Sequence, residues 1–187
     1  MSDELTFASD LLEQATKGVS AADLIRRIEE VEKSGPLPKS LTEDGAAAED
    51  EATIFQMLQE MSIPQKIKLA LQGNKIARTL LVRDNNKQVP LFVLQNPGIT
   101  DEEVLEIVRS TEVSELVHRA LVRNGAWMKS YQVKLQLVSN PKVPVDVSMQ
   151  WVKHIRDRDL RRLMKSKNIP SAVATQCRKL VEKRMKK

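Results

Sequence analysis

The chain has 187 residues, 41% of them apolar and only 3% aromatic, with 30 Lys and Arg against 25 Asp and Glu. That length allows a buried core, but the core must be aliphatic, and six glycines with so few aromatics speak against an all-β design built on hairpins. A single cysteine, Cys177, excludes an internal disulfide and a Cys-x-x-Cys metal or iron–sulfur site.

The N-terminus, MSDELTFASDLLEQ, is acidic where a signal peptide needs a basic segment, and nowhere do eighteen apolar residues run uninterrupted. The expectation is a soluble, cytoplasmic protein in a reducing compartment, without a membrane span. Its net charge of +5 is unevenly spread. Met1–Ser62 carries 5 basic and 14 acidic residues, the remainder 25 and 11, and the stretch from Val147 onward 13 and 3. An acidic arm thus precedes a basic body, and each can attract the other or a separate partner.

In chain order, Leu5, Ala8, Leu12 and Ala15 recur at helical spacing and predict a first amphipathic helix that ends near Gly18. Ser20 and Asp23 start a second, with Leu24, Ile25, Ile28 and Val31 as its stripe. Both are too short to stand alone, so residues 1–33 read as a helical arm. Residues 34–52, rich in Gly, Pro, Ala and acids, read as a flexible acidic linker. Ile54, Met57, Leu58 and Met61 then open a helical domain over 53–187.

Within that domain an asparagine-centred motif recurs. Ile67 to Asn74 (IKLALQGN), Val89 to Asn96 (VPLFVLQN) and Val133 to Asn140 (VKLQLVSN) align, with their asparagines 22 and 44 residues apart. A fixed step of this size predicts stacked supersecondary units that share a core. Each asparagine is expected to close a helix in the left-handed conformation. Pro97 and Pro141 then bar continuation, Thr100 with Glu103 forms a capping box, and Pro144 and Pro170 suit first-turn positions. Tyr131, Val133, Leu135 and Leu137 alternate as a strand would, but Ile67, Leu69 and Leu71 alternate identically at matching positions, and helix is the expectation for every copy.

The turns Asn96-Pro97-Gly98-Ile99-Thr100 and Asn140-Pro141-Lys142-Val143-Pro144 resemble the leucine-rich repeat variant pattern, a family close to HEAT repeats, over roughly residues 63–183. The chain as a whole is similar to a family of bacterial proteins. The resemblance implies an all-α fold, a short α-solenoid of HEAT-like or leucine-rich-repeat-variant helical repeats with an N-terminal helical arm. It also implies a binding surface. At Asn124 the pattern's proline is replaced by Gly125, so the unit around Trp127 and Tyr131 has a different shape.

No catalytic constellation emerges. His118 and His154 belong to no ligand spacing, Cys177 lies on the apolar stripe of the last helix, and Gly73 and Gly125 are isolated rather than part of a phosphate loop. Trp151 falls in an apolar run and reads as core, and Glu102 and Glu103 suit a helix start. No cofactor or metal is expected. The candidate partner-binding residues are Arg156, Arg158, Arg161, Arg162, Lys165 and Lys167, followed by a further basic set from Arg178 to Lys187. The leading expectation is a non-enzymatic protein–protein interaction module, an adaptor or scaffold. The alternative is a nucleic-acid-binding protein that uses the basic C-terminal helices, with the acidic arm masking the site.

Overall fold

A computed structural model describes residue 30, residues 35–43 and residues 51–186. Apart from Glu30, the two amphipathic segments expected in the arm lie outside the described residues, as do residues 34 and 44–50 of the segment read as a linker. Among the described residues the structure is all-helical, with ten α-helices and no strand. None of these helices is long and apolar enough to cross a membrane. The chain divides into two compact units, one up to Thr100 and one from Asp101 onward.

The first unit holds α1 (Glu51–Glu60), α2 (Ile63–Gln72), α3 (Lys75–Leu81) and α4 (Val89–Val93). α1 turns Ile54 and Leu58 inward, two members of the predicted stripe. α2 begins at a capping box in which the Gln65 side-chain oxygen accepts both the Ser62 N–H and its hydroxyl, each at 2.9 Å. Pro64 follows in the first turn, where a missing N–H costs nothing. α2 packs on α3 and α4, and α3 on α4. Leu69, Ala70, Leu81, Val89 and Val93 fill the space between them with almost no exposure, and burial of each large aliphatic side chain contributes on the order of 1.5–3 kcal/mol.

Within the segment read as a linker, Lys39–Leu41 forms a 3-10 turn whose Leu41 is fully buried. The turn is fastened by Asn74, whose side-chain amide donates to the carbonyls of Ser40 (2.9 Å) and Glu43 (3.1 Å).

The second unit holds α5 (Asp101–Arg109), α6 (Glu115–Leu121), α7 (Tyr131–Ser139), α8 (Val145–Trp151), α9 (Asp157–Leu163) and α10 (Ser171–Met185). Two 3-10 turns, Trp127–Lys129 and Val152–His154, precede α7 and follow α8. The first of these occupies the place where Gly125 breaks the Asn-Pro pattern. α7 packs on α5 and α8, and α10 packs on α8 and α9. Their interior is aliphatic: Leu135, Val138, Val152, Ile155, Leu160, Leu163, Val173, Cys177 and Val181 form one cluster, with Tyr131 and Trp151 against its edge.

Residues 131–139 are helical throughout. Their alternation arises because α7 is covered by α5, by α8 and by the Trp127–Lys129 turn. Val133, Leu135, Leu137 and Val138 are therefore all buried around a wide arc of one helix.

The asparagines are not left-handed helix caps, and that expectation is corrected. Asn74 (φ −71°, ψ −179°) and Asn140 (φ −86°, ψ 122°) are extended. An extended backbone turns their side chains back on the preceding helix or turn, where each amide serves carbonyls left unpaired at its end. Asn96 donates to Ala70 (2.9 Å) and Gly73 (3.1 Å) at the close of α2. Asn140 donates to Val108 (2.7 Å) and Ser110 (2.8 Å) at the close of α5. The side-chain oxygen works locally: it accepts the N–H of Ala77, Gly98 or Lys142 from Asn74, Asn96 and Asn140 respectively. Pro144 and Pro170 likewise stand one position earlier than expected, as N-caps of α8 and α10.

Candidate binding surfaces

In the second unit, α6 and α8 are joined by an ion pair. Arg119 donates through both terminal nitrogens to Asp146, at 2.6 and 3.0 Å. The hydrogen bond from Arg119 holds the Asp146 carboxyl below its ordinary range and raises the guanidinium in turn. This fork–fork geometry bridges the two helices at an exposed position.

Beside the pair stand Leu116, Val145 and Met149, exposed at 37%, 40% and 37%. Leu116 and Arg119 share a stripe of α6 at three-residue spacing, and Val145 and Met149 share one of α8 at four. A groove of about 440 Å³ opens at the start of both helices, walled by Thr111–Glu115 on one side and Pro141–Val145 on the other. Val113 and Val143 close its floor as buried residues just ahead of each helix. Its two walls are thus the loops that enter α6 and α8, and they carry Glu112, Glu115 and Lys142 beside the exposed Val145.

Beneath this face lies His118, fully buried. Its Nδ1 is 3.2 Å from the Ser114 carbonyl, which can only accept, so that nitrogen carries the proton and Nε2 is a bare acceptor with no partner among the described residues. Burial lowers the pKa of the ring, outweighing the Ser114 bond and the nearby Glu115 charge, which raise it.

The sequence-identified basic residues occupy the next helices. Arg156 is the N-cap of α9, and its guanidinium lies over the Tyr131 ring at 4.3 Å. Its backbone N–H donates to the Tyr131 hydroxyl at 3.2 Å, while that hydroxyl donates to Asp159. Burial and then the Asp159 bond push the phenol above its ordinary pKa. Arg162 sits 3.8 Å from Asp159. Arg158, Arg161, Lys165 and Lys167 are exposed, and no ion pair within the described residues holds them. Arg158, Arg161, Arg162 and Lys165 follow an i, i+3, i+4, i+7 stripe.

On α10, Arg184 turns inward to the Ile155 (2.9 Å) and Lys153 (2.7 Å) carbonyls and to Asp157. It is a brace between helices. Asp157 and Asp159 are engaged by Arg184 and Tyr131 respectively. Trp151 is half-buried at the core's edge, with the Lys134 ammonium 5.9 Å from its ring and the His154 ring 5.4 Å away. Cys177 is buried, and burial raises the pKa of its thiol.

Sequence reading missed the apolar rim. Its signal was available: Leu116 interrupts an otherwise polar stripe, since Val117, Ala120 and Leu121 already supply the buried side of α6. An apolar residue off the buried stripe has to be explained by something other than the core. No protein-family model, curated protein or solved structure matches the chain.

Proposed function

We propose that the chain is a non-enzymatic protein-interaction module, a short α-solenoid of HEAT-like repeats that holds a partner protein on the α6–α8 face. The observation that carries the partner is the grouping of Leu116, Val145 and Met149 on the two helices that the Arg119–Asp146 pair joins, with Val145 also lining the groove. Apolar side chains in water are an unfavourable surface, and burial by a partner of the two-fifths still exposed contributes about 0.5–1 kcal/mol each. An ion pair among them supplies directionality.

The repeat reading is supported by three seven-residue helices, α3, α6 and α9, which start at residues 75, 115 and 157. Each is followed by a turn and a further helix, α4, α7 and α10, that packs on α2, α5 and α8 respectively. The fourth residues of the three, Arg78, His118 and Leu160, are all buried. The Asn96 and Asn140 amides make matching bonds to the preceding helix ends.

The test is affinity capture from an extract of the source cells with the full chain, beside Leu116→Asp/Met149→Asp and a basic-face control, Arg158→Gln/Arg161→Gln. The reading requires a reproducible protein recovered by the wild type and the control and lost with the apolar pair. Equal recovery by all three, or no reproducible protein at physiological salt, would overturn it.

A further inference from the structure

The second unit neutralises some of its cations and leaves others bare. Arg119 is paired with Asp146, Arg184 with Asp157, and Arg162 approaches Asp159. Arg158, Arg161 and Lys165 on and just after α9, and Arg178, Lys179 and Lys183 on α10, are exposed, with no ion pair among the described residues. Of the three acids after residue 147, two are already engaged, and Glu182 alone stands among the α10 cations.

Helix dipoles account for part of this pattern. Arg161 and Arg162 lie in the last turn of α9 and Lys183 in that of α10, where positive charge is favoured. They do not account for Arg158, in the first turn of α9, nor for Arg178 and Lys179 in the middle of α10. Like charges at 158/161, 161/165 and 179/183 stand at helical i, i+3 or i, i+4 spacing, each pair costing about 0.2–0.5 kcal/mol. A face that is self-repelling and uncompensated is suited to a dense array of fixed negative charge.

We propose that the α9–α10 face binds duplex nucleic acid through its phosphates, without reading its sequence. The neighbouring aromatics decide for a duplex over single strands. Single-strand binders offer free rings on which bases stack. Here the Tyr131 ring is covered by Arg156 and its hydroxyl is engaged, and Trp151 is half-buried between Lys134 and His154. What remains is cationic surface matched to a backbone whose bases are already stacked on one another. Duplex binding on this face is independent of protein docking on α6–α8.

The test uses the full chain and fluorescence anisotropy on a 20-base-pair DNA duplex, the matching RNA duplex and a single-stranded thymidine oligomer, with co-sedimentation on phosphatidylserine-containing vesicles. Both duplexes are expected to bind more tightly than the single strand and the vesicles, with affinity falling at least about fortyfold between 50 and 200 mM salt, as expected for about three or more phosphate contacts. Arg158→Gln/Arg161→Gln/Lys165→Gln should weaken duplex binding at least tenfold at 50 mM and flatten the salt slope by about 2–3. Lys87→Gln/Lys129→Gln, outside the face, should stay within twofold of wild type. All substituted positions are exposed, and circular dichroism checks that each variant is folded. Absence of duplex binding at 50 mM, preference for the single strand or vesicles, or equal weakening by the two variant sets would overturn the proposal.

Discussion

The Asn140 side-chain amide reaches back 32 residues to donate to the Val108 carbonyl at 2.7 Å, and the same nitrogen serves Ser110 at 2.8 Å. One buried side chain thus satisfies the end of α5 while its oxygen holds the entry to α8 through Lys142 N–H. Asn96 does the same for α2 in the first unit. The helix connections are consequently specified by buried polar bonds as well as by apolar packing.

Removing such an amide takes the buried donor from the Val108 carbonyl at Asn140 and from the Ala70 carbonyl at Asn96, where Arg78 still serves Gly73 at 2.9 Å. Asn140→Ala and Asn96→Ala are each expected to cost about 2–4 kcal/mol. Asn140→Asp should cost at least as much, because a carboxylate offers acceptors to carbonyls that need donors. Urea denaturation followed by circular dichroism measures both, and a loss below about 0.5 kcal/mol would show that water replaces the amide.

Gly73 and Gly125 separate a steric requirement from mere turn chemistry. A methyl group at Gly73 would lie 2.5 Å from the Leu69 carbonyl oxygen and 2.7 Å from the Ala77 Cβ, whereas at Gly125 it would meet nothing within 4 Å. Gly73 has φ −71°, so the cost comes from crowding and not from backbone strain. Gly73→Ala should therefore destabilise by about 1–3 kcal/mol, and Gly125→Ala should lie within about 0.5 kcal/mol of wild type. Thermal unfolding of the two variants side by side decides this.

His118 makes stability depend on pH. Its folded pKa lies below the unfolded value of about 6.5, because burial disfavours the imidazolium. The unfolded chain consequently takes up a proton that the folded chain refuses. The stabilisation is complete above about pH 6.5 and is lost as the pH falls toward the folded pKa. His118→Leu installs the residue that Leu160 supplies at the matching position of α9, and should flatten the change in melting temperature between about pH 7.5 and 5.5. A variant with the wild-type slope would assign the pH dependence to other groups.

Cys177 is fully buried and its thiol pKa is raised, so it should resist thiol reagents in the native state. Labelling by an aromatic disulfide is expected only at the rate of unfolding, accelerating with urea as the circular dichroism signal falls. Rapid stoichiometric labelling in native buffer would mean that α10 opens locally.

Helix was legible in the sequence wherever burial was one-sided. Ile54 and Leu58 in α1, and the start of α5 at Asp101, follow directly from apolar spacing and capping residues. It was least legible in α7, whose wide buried arc imitates a strand's alternation. The asparagine motif was visible, but not its role, because a side chain that bonds carbonyls some 23 to 34 residues back leaves no local trace. The basic residues were legible as a density of charge. Which of them are engaged was not, since the engagement of Arg156 depends on Tyr131, and that of Arg184 on Asp157 and two carbonyls. The rim of Leu116, Val145 and Met149 required knowing that α6 and α8 are bridged, a relation the Arg119–Asp146 pair makes only in the folded chain.

Reception of a protein on the α6–α8 face is tested most directly by a photocrosslinking residue at Met149, with the same residue at exposed Gln132 as reference. Illumination in the source cells should yield a discrete protein adduct from position 149 that disappears when Leu116→Asp is added. A yield at 149 no greater than at 132, or an adduct indifferent to Leu116→Asp, would contradict it.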